Sequence, residues 1–262
     1  MTTLTLAVKE ANDRGALALM LYAIPNFPDP NTYQEILSIL NENPWVTIIE
    51  TTFPVTSQFS EFANQTIKDA HLQAAQFTDG LPSMEMLQQF KKPTICVLYR
   101  ETLEKIGYEP LLQQLQGKID GLLFEWIIPH IENYAYSYKS YGIELVQCAE
   151  PSMTEQEIVH YLSLTEEEPL IYLVSAPMTG AEIFSEEKIN QCIKDIKKIR
   201  PKAKIVAGFG ISDADDITRL SHMNGLDGVI IGTAFLEVMK QGVDNVSTFL
   251  DAITPALSKK SA

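Results

Sequence analysis

A chain of 262 residues with 45% hydrophobic and 21% charged side chains can bury a large core, and no run approaches the roughly 20 apolar residues of a membrane span. The formal net charge of −14, with arginine only at Arg14, Arg100, Arg200 and Arg219, disfavours nucleic acid and anionic membranes, which bind clustered Lys and Arg. The amino terminus has no basic segment followed by an apolar run, and Cys96, Cys148 and Cys192 make no evident disulfide framework, so a cytoplasmic location is expected.

Short apolar, β-branched runs alternate with amphipathic stretches along the whole chain. Strands are expected over 17–24, 46–50, 94–99, 121–124, 144–148, 170–174, 204–208 and 228–231. Between them, Tyr33-Ile36-Leu37-Leu40, Ile158-Val159-Tyr161-Leu162 and Ile189-Ile193-Ile196-Ile199 carry the three-and-four spacing that lays one helical stripe on a sheet. The stretch 53–66 is longer than an ordinary βα connection and suits a functional loop over a barrel mouth. Glu166-Glu167-Glu168 reads as a solvated turn before the sixth strand. Eight βα units without a Pro/Gly/Ser-rich linker argue for one (β/α)8 TIM barrel spanning 1–262, of the α/β class. An open doubly wound sheet is the alternative, because periodicity does not report closure; the lack of an amino-terminal GxGxxG turn weighs against a dinucleotide.

The most specific constellation is Gly208-Phe209-Gly210-Ile211-Ser212 after the seventh strand, followed one unit later by Gly228-Val229-Ile230-Ile231-Gly232-Thr233-Ala234. In a barrel these are adjacent loops at the carboxyl face, where glycine allows close backbone approach and a helix start aims N–H groups at an anion. Such a phosphate cradle needs no arginine, so an acidic protein can still bind a small phosphoester. The plain structural reading is that these glycines only tighten strand ends.

With Thr179-Gly180-Ala181-Glu182 after the sixth strand, these motifs resemble the α subunit of tryptophan synthase over nearly the whole length. The resemblance implies a phosphate-binding barrel that cleaves indole-3-glycerol phosphate to indole and glyceraldehyde 3-phosphate. It places Gly180, Gly210, Gly232 and Thr233 on phosphate-contacting positions, with Thr233 where serine is usual. Related barrels share the cradle, so the cradle alone does not select the reaction.

Breaking the bond between indole and glycerol needs a proton for the ring carbon, a base for a glycerol hydroxyl, and support for charge at the ring nitrogen. Glu50 closes the apolar run Val46-Thr47-Ile48-Ile49, which puts an acid at the mouth of the second strand. The family motif E-L-G-x-P-F-S-D-P-x-A-D starts with the catalytic acid/base and ends with the acid that aids the indole nitrogen. Here 50–61 reads Glu-Thr-Thr-Phe-Pro-Val-Thr-Ser-Gln-Phe-Ser-Glu, so the resemblance puts Glu50 on the first acid and Glu61 on the last, one methylene longer. It also matches Tyr22, Tyr99 and Tyr172 to substrate-pocket aromatics and Thr179 to the sixth loop, while core packing is the competing reading for the tyrosines.

The chain departs from the family in both loops. Ser57 stands where relatives offer an aspartate to a β subunit, about two residues are inserted before Thr66-Ile67, and the sixth loop, Ser175-Ala176-Pro177-Met178-Thr179-Gly180, lacks the arginine and first glycine of S-R-S-G-V-T-G. No cofactor is expected in this chain, pyridoxal phosphate belonging to the partner β subunit of an α2β2 complex that the resemblance implies. His71, His130, His160 and His222 are scattered, so no metal centre is expected, and Cys96 and Cys148 read as small core residues. Competing readings are a divergent barrel for another aryl or sugar phosphate and a regulatory paralogue without turnover.

Overall fold

The alternation of strand-forming and amphipathic runs is realised in three dimensions. The computed structural model describes residues 1–59, 63–78, 84–124, 138–176, 185–208 and 210–259. Among these, the strands are β1 (Ala18–Ala23), β2 (Val46–Thr52), β3 (Thr94–Leu98), β4 (Gly121–Phe124), β5 (Glu144–Leu145), β6 (Gln147–Ala149), β7 (Leu170–Val174), β8 (Lys204–Gly208) and β9 (Gly228–Ile231). They pair in parallel in the order β5-β4-β3-β2-β1-β9-β8-β7-β6. The two ends of that order are separated in the chain only by Val146, whose N–H donates to the Leu122 carbonyl at 2.9 Å. The sheet therefore closes into a (β/α)8 barrel. The fifth strand, expected unbroken over 144–148, is split because its first half pairs with β4 and its second with β7, the stagger that closure of tilted strands demands.

Helices α1 (Thr3–Asp13), α2 (Pro30–Glu42), α3 (Gln65–Ala75), α4 (Arg100–Ile106), α5 (Tyr108–Leu115), α6 (Glu155–Ser163), α7 (Glu186–Ile199), α8 (Ala214–Ser221), α9 (Thr233–Lys240) and α10 (Val243–Ile253) flank the strands. Helix α2 buries Tyr33, Ile36, Leu37 and Leu40, the stripe its spacing implies, and starts on Pro30 with Asp29 as cap. On α6 the stripe is narrower than expected: Ile158 and Leu162 are buried, but Val159 is 45% exposed. The acidic turn is only partly solvated, since Glu166 pairs with Lys139 at 3.4 Å and Glu168 with Lys202 at 2.7 Å.

Helix α1 lies across the amino-terminal end of the strands. A Cβ at Gly121 would stand 2.6 Å from Leu4 Cδ1, so glycine there lets the helix seat. Beneath it Glu144 accepts from Thr2 Oγ1 at 2.5 Å and from the Leu170 N–H at 2.8 Å. Apolar side chains fill the rest of the lumen and the helix–sheet layer, with a second cluster around Cys96, Leu98, Leu122 and Phe124 under α4 and α5. Among the described residues no helix is long and apolar enough to cross a membrane.

Candidate active site

Strand register decides which side chains enter the barrel. Tyr22 pairs with Glu50 and Glu50 with Ile95, while Cys148 pairs with Tyr172 and Tyr172 with Val206. Partners in a parallel pair point to one face, so these residues share the lumen. Strand β2 runs two residues past the expected end at Glu50, which places the acid inside the mouth; it is 4% exposed. Burial there pushes the carboxyl up from 4.5 to about 8. Charge on Glu50 adds to the burial that raises both Tyr172 and Cys148, whose thiol is pushed up to about 12. The half-buried Cys148 packs against the main core, and Cys96 is fully buried in the second cluster, as the sequence suggests for both.

Tyr172 is held by a glycine. A Cβ at Gly208 would lie 2.3 Å from the phenol oxygen and 2.5 Å from Cζ, so the ring occupies the space a side chain would need. Ser175 fastens the end of β7 to the same point, its N–H donating to the Gly208 carbonyl at 2.7 Å and its hydroxyl to the same oxygen. Tyr99 falls one residue beyond β3, as the cap of α4, with its ring 4.6 Å from His71 in an edge contact.

The two glycine turns differ in a way that matters for anions. Gly210 has φ +72°, and after it the start of α8 is already satisfied: Asp213 accepts from the N–H groups of Asp215 and Asp216. Helix α9 begins at Gly232 with no side-chain cap and no acid in its first turn. Its start lies beside Tyr22, a Cβ at Gly232 standing 3.7 Å from Tyr22 Cβ, and the Thr233 hydroxyl accepts from Asn64 Nδ2 at 3.1 Å. An uncapped helix start of this kind favours negative charge.

Loop two, the 53–66 stretch after β2, is pinned on both sides of 60–62. Glu101 on α4 accepts from the N–H groups of Thr56 and Ser57 at 2.9 and 2.6 Å and from both hydroxyls, and Lys105 adds an ion pair at 2.6 Å. Burial pushes that carboxyl up, but Lys105, Ser57 and Thr56 outweigh it and hold it at about 2. Gln58 donates to Glu104 at 2.7 Å, and on the other side Thr66 donates to Glu237 on α9 at 2.8 Å. His71, on the buried face of α3, takes the Val55 N–H on Nδ1 at 3.1 Å and meets the Tyr22 phenol through Nε2 at 3.0 Å.

Of the residues singled out in the sequence, Glu50, Tyr22, Tyr99, Tyr172, Gly210, Gly232 and Thr233 gather around one end of the barrel. Glu61, Thr179 and Gly180 lie outside the described residues. The sequence weighs His71 only as a metal ligand and gives no role to Glu101 or Asn64. A histidine four residues after Ile67 on an otherwise apolar helix stripe was the available signal for the first; the other two act on Thr233, Thr56 and Ser57, partners distant in sequence that no spacing announces. Among the described residues no group of three His, Cys, Asp or Glu side chains could hold a metal ion.

Known proteins share this fold. The chain is 24% identical to the tryptophan synthase alpha chain of Caldicellulosiruptor bescii, with 94% of each covered. Among solved structures, it resembles tryptophan synthase subunit alpha from Campylobacter jejuni at TM-score 0.76 and 22% identity, covering 91% of this chain and 96% of that one. It also resembles a chain of tryptophan synthase from M. tuberculosis in the aminoacrylate-bound form, at TM-score 0.82 and 15% identity, covering 98% and 100%. The family model for the tryptophan synthase alpha chain matches residues 8–259, and the chain belongs to that family.

Proposed function

We propose that this chain is a carbon–carbon lyase that cleaves indole-3-glycerol phosphate to indole and glyceraldehyde 3-phosphate by a retro-aldol step, with residues 1–262 acting as one barrel unit. The observation that carries the reading is Glu50, a carboxyl inside the mouth held near 8 by burial, which is protonated at neutral pH and can act first as an acid. Glu50 gives its proton to the indole carbon that bears the glycerol chain. The resulting carboxylate then takes the proton of the neighbouring glycerol hydroxyl. The O–H electrons form the aldehyde C=O, the carbon–carbon bond breaks, and its electron pair restores the aromatic indole. Glu50 ends as it began, and no water or cofactor is consumed.

Glu61 accepts the ring N–H while positive charge builds there, and Tyr22, Tyr99, Tyr172 and Thr179 line the substrate. The phosphate sits on Gly180, Gly210, Gly232 and Thr233; the uncapped start of α9 supports that placement. A pyridoxal-phosphate β subunit takes up the indole in the cytoplasm, with this chain itself needing no cofactor. An indole-release assay with and without a β subunit tests the reading. Turnover that survives unchanged in both Glu61→Asp and Glu61→Ala while still needing Glu50 would remove Glu61 from the pocket and favour a different aryl phosphate.

A further inference from the structure

Loop two, strand β1 and helix α3 meet at one fully buried imidazole, and the place of its proton follows from its neighbours. The Val55 N–H can only donate, so Nδ1 of His71 accepts and carries no proton. Burial pushes the ring's pKa down to about 3, against the pull of Glu101, so the imidazole is neutral and its one proton sits on Nε2. That N–H donates to the Tyr22 oxygen at 3.0 Å, so the phenol accepts from the imidazole and does not donate to it. Edge contacts with Tyr99 at 4.6 Å and Phe59 at 5.6 Å hold the ring plane. Tyr22 stands between the acid and the phosphate turn: it is the register partner of Glu50, and a Cβ at Gly232 would lie 3.7 Å from Tyr22 Cβ.

From this geometry we infer that His71 is a positioning residue, tying loop two to β1 and fixing the Tyr22 phenol, as an acceptor from the imidazole, between Glu50 and the phosphate turn. The inference deepens, and rests on, the lyase reading of the same site. Two substitutions separate the two bonds. Asparagine at 71 can put its amide oxygen where Nδ1 accepts from Val55 but cannot reach Tyr22; glutamine can put its amide nitrogen where Nε2 donates.

The expected result is that His71→Asn and Tyr22→Phe each lower kcat/KM for indole release by about threefold to tenfold, the range of one net hydrogen bond. Combining them should cost no more than the worse single change, and His71→Gln should stand at least about threefold above His71→Asn. Additive losses, or equal damage from asparagine and glutamine, would overturn the inference. A second measurement is independent of turnover: the ¹⁵N spectrum of His71 should show a protonated Nε2 and a bare Nδ1, with only the Nε2 signal moving strongly in Tyr22→Phe. A proton on Nδ1 overturns the inference whatever the substrate. A wild type that releases no indole overturns the lyase reading, and the ring spectrum then decides the inference by itself.

Discussion

Replacing Glu50 by Gln should make the protein more stable, and increasingly so as pH rises. The carboxyl is 4% exposed, and burial lifts it from 4.5 to about 8. Between those values the folded chain keeps a proton that the unfolded chain has lost, so stability falls as pH rises through the window and levels off above it. At about 1.4 kcal/mol per pH unit the full window amounts to on the order of 5 kcal/mol. Glutamine is neutral at every pH and has nearly the same shape, so it escapes this loss. Glu144, pushed by burial to about 7, causes a similar decline in both proteins and cancels in their difference. The assay is urea unfolding of wild type and variant from about pH 4.5 to about pH 9. The variant's advantage should grow by roughly 1.4 kcal/mol per pH unit and flatten near pH 8. A difference that does not change with pH would refute the claim that Glu50 is a buried, proton-retaining acid.

Gly232→Asp should abolish calorimetric binding of glycerol phosphate while leaving the fold assembled, because the new Cβ meets only ordinary contacts at 3.7 Å and the carboxylate lies against the uncapped helix start; unchanged affinity would remove the phosphate from this turn. Glu101→Gln should destabilise the protein by about 1.5–3 kcal/mol at neutral pH through weakened charge-assisted bonds to loop two. Since the native carboxyl is held at about 2, that deficit should shrink as pH falls from 4.5 toward 2, and a deficit independent of pH would count against the clamp. Tyr33→Phe should stabilise by about 1–3 kcal/mol, because the Tyr33 hydroxyl is fully buried without a hydrogen-bond partner among the described residues; a lowered Tm would show that the hydroxyl has one.

The barrel was legible because parallel strands buried on both faces read as unbroken apolar runs, and the stripes of α2 and α7 repeat at helical spacing. The strand ends were less so. Thr51 and Thr52 extend β2 past Glu50, because their hydroxyls bond to the Ala23 and Val97 carbonyls across the sheet, partners far away in sequence. For the same reason the site's acid and glycines could be picked out by type and place, whereas its supports could not. Glu101 looks like any first-turn helix acid until loop two folds onto it, and His71 gains its meaning only when Val55 arrives from loop two and Tyr22 from β1.

The most direct test of the lyase reading is indole release from indole-3-glycerol phosphate as a function of pH, in wild type and Glu50→Gln under single-turnover conditions. The wild type should release indole at a rate that declines above about pH 8 as Glu50 loses its proton, and the variant should be slower by about 10²–10⁴ below that pH, with the gap narrowing above it. Indole release by Glu50→Gln at the wild-type rate below that pH would contradict this reading.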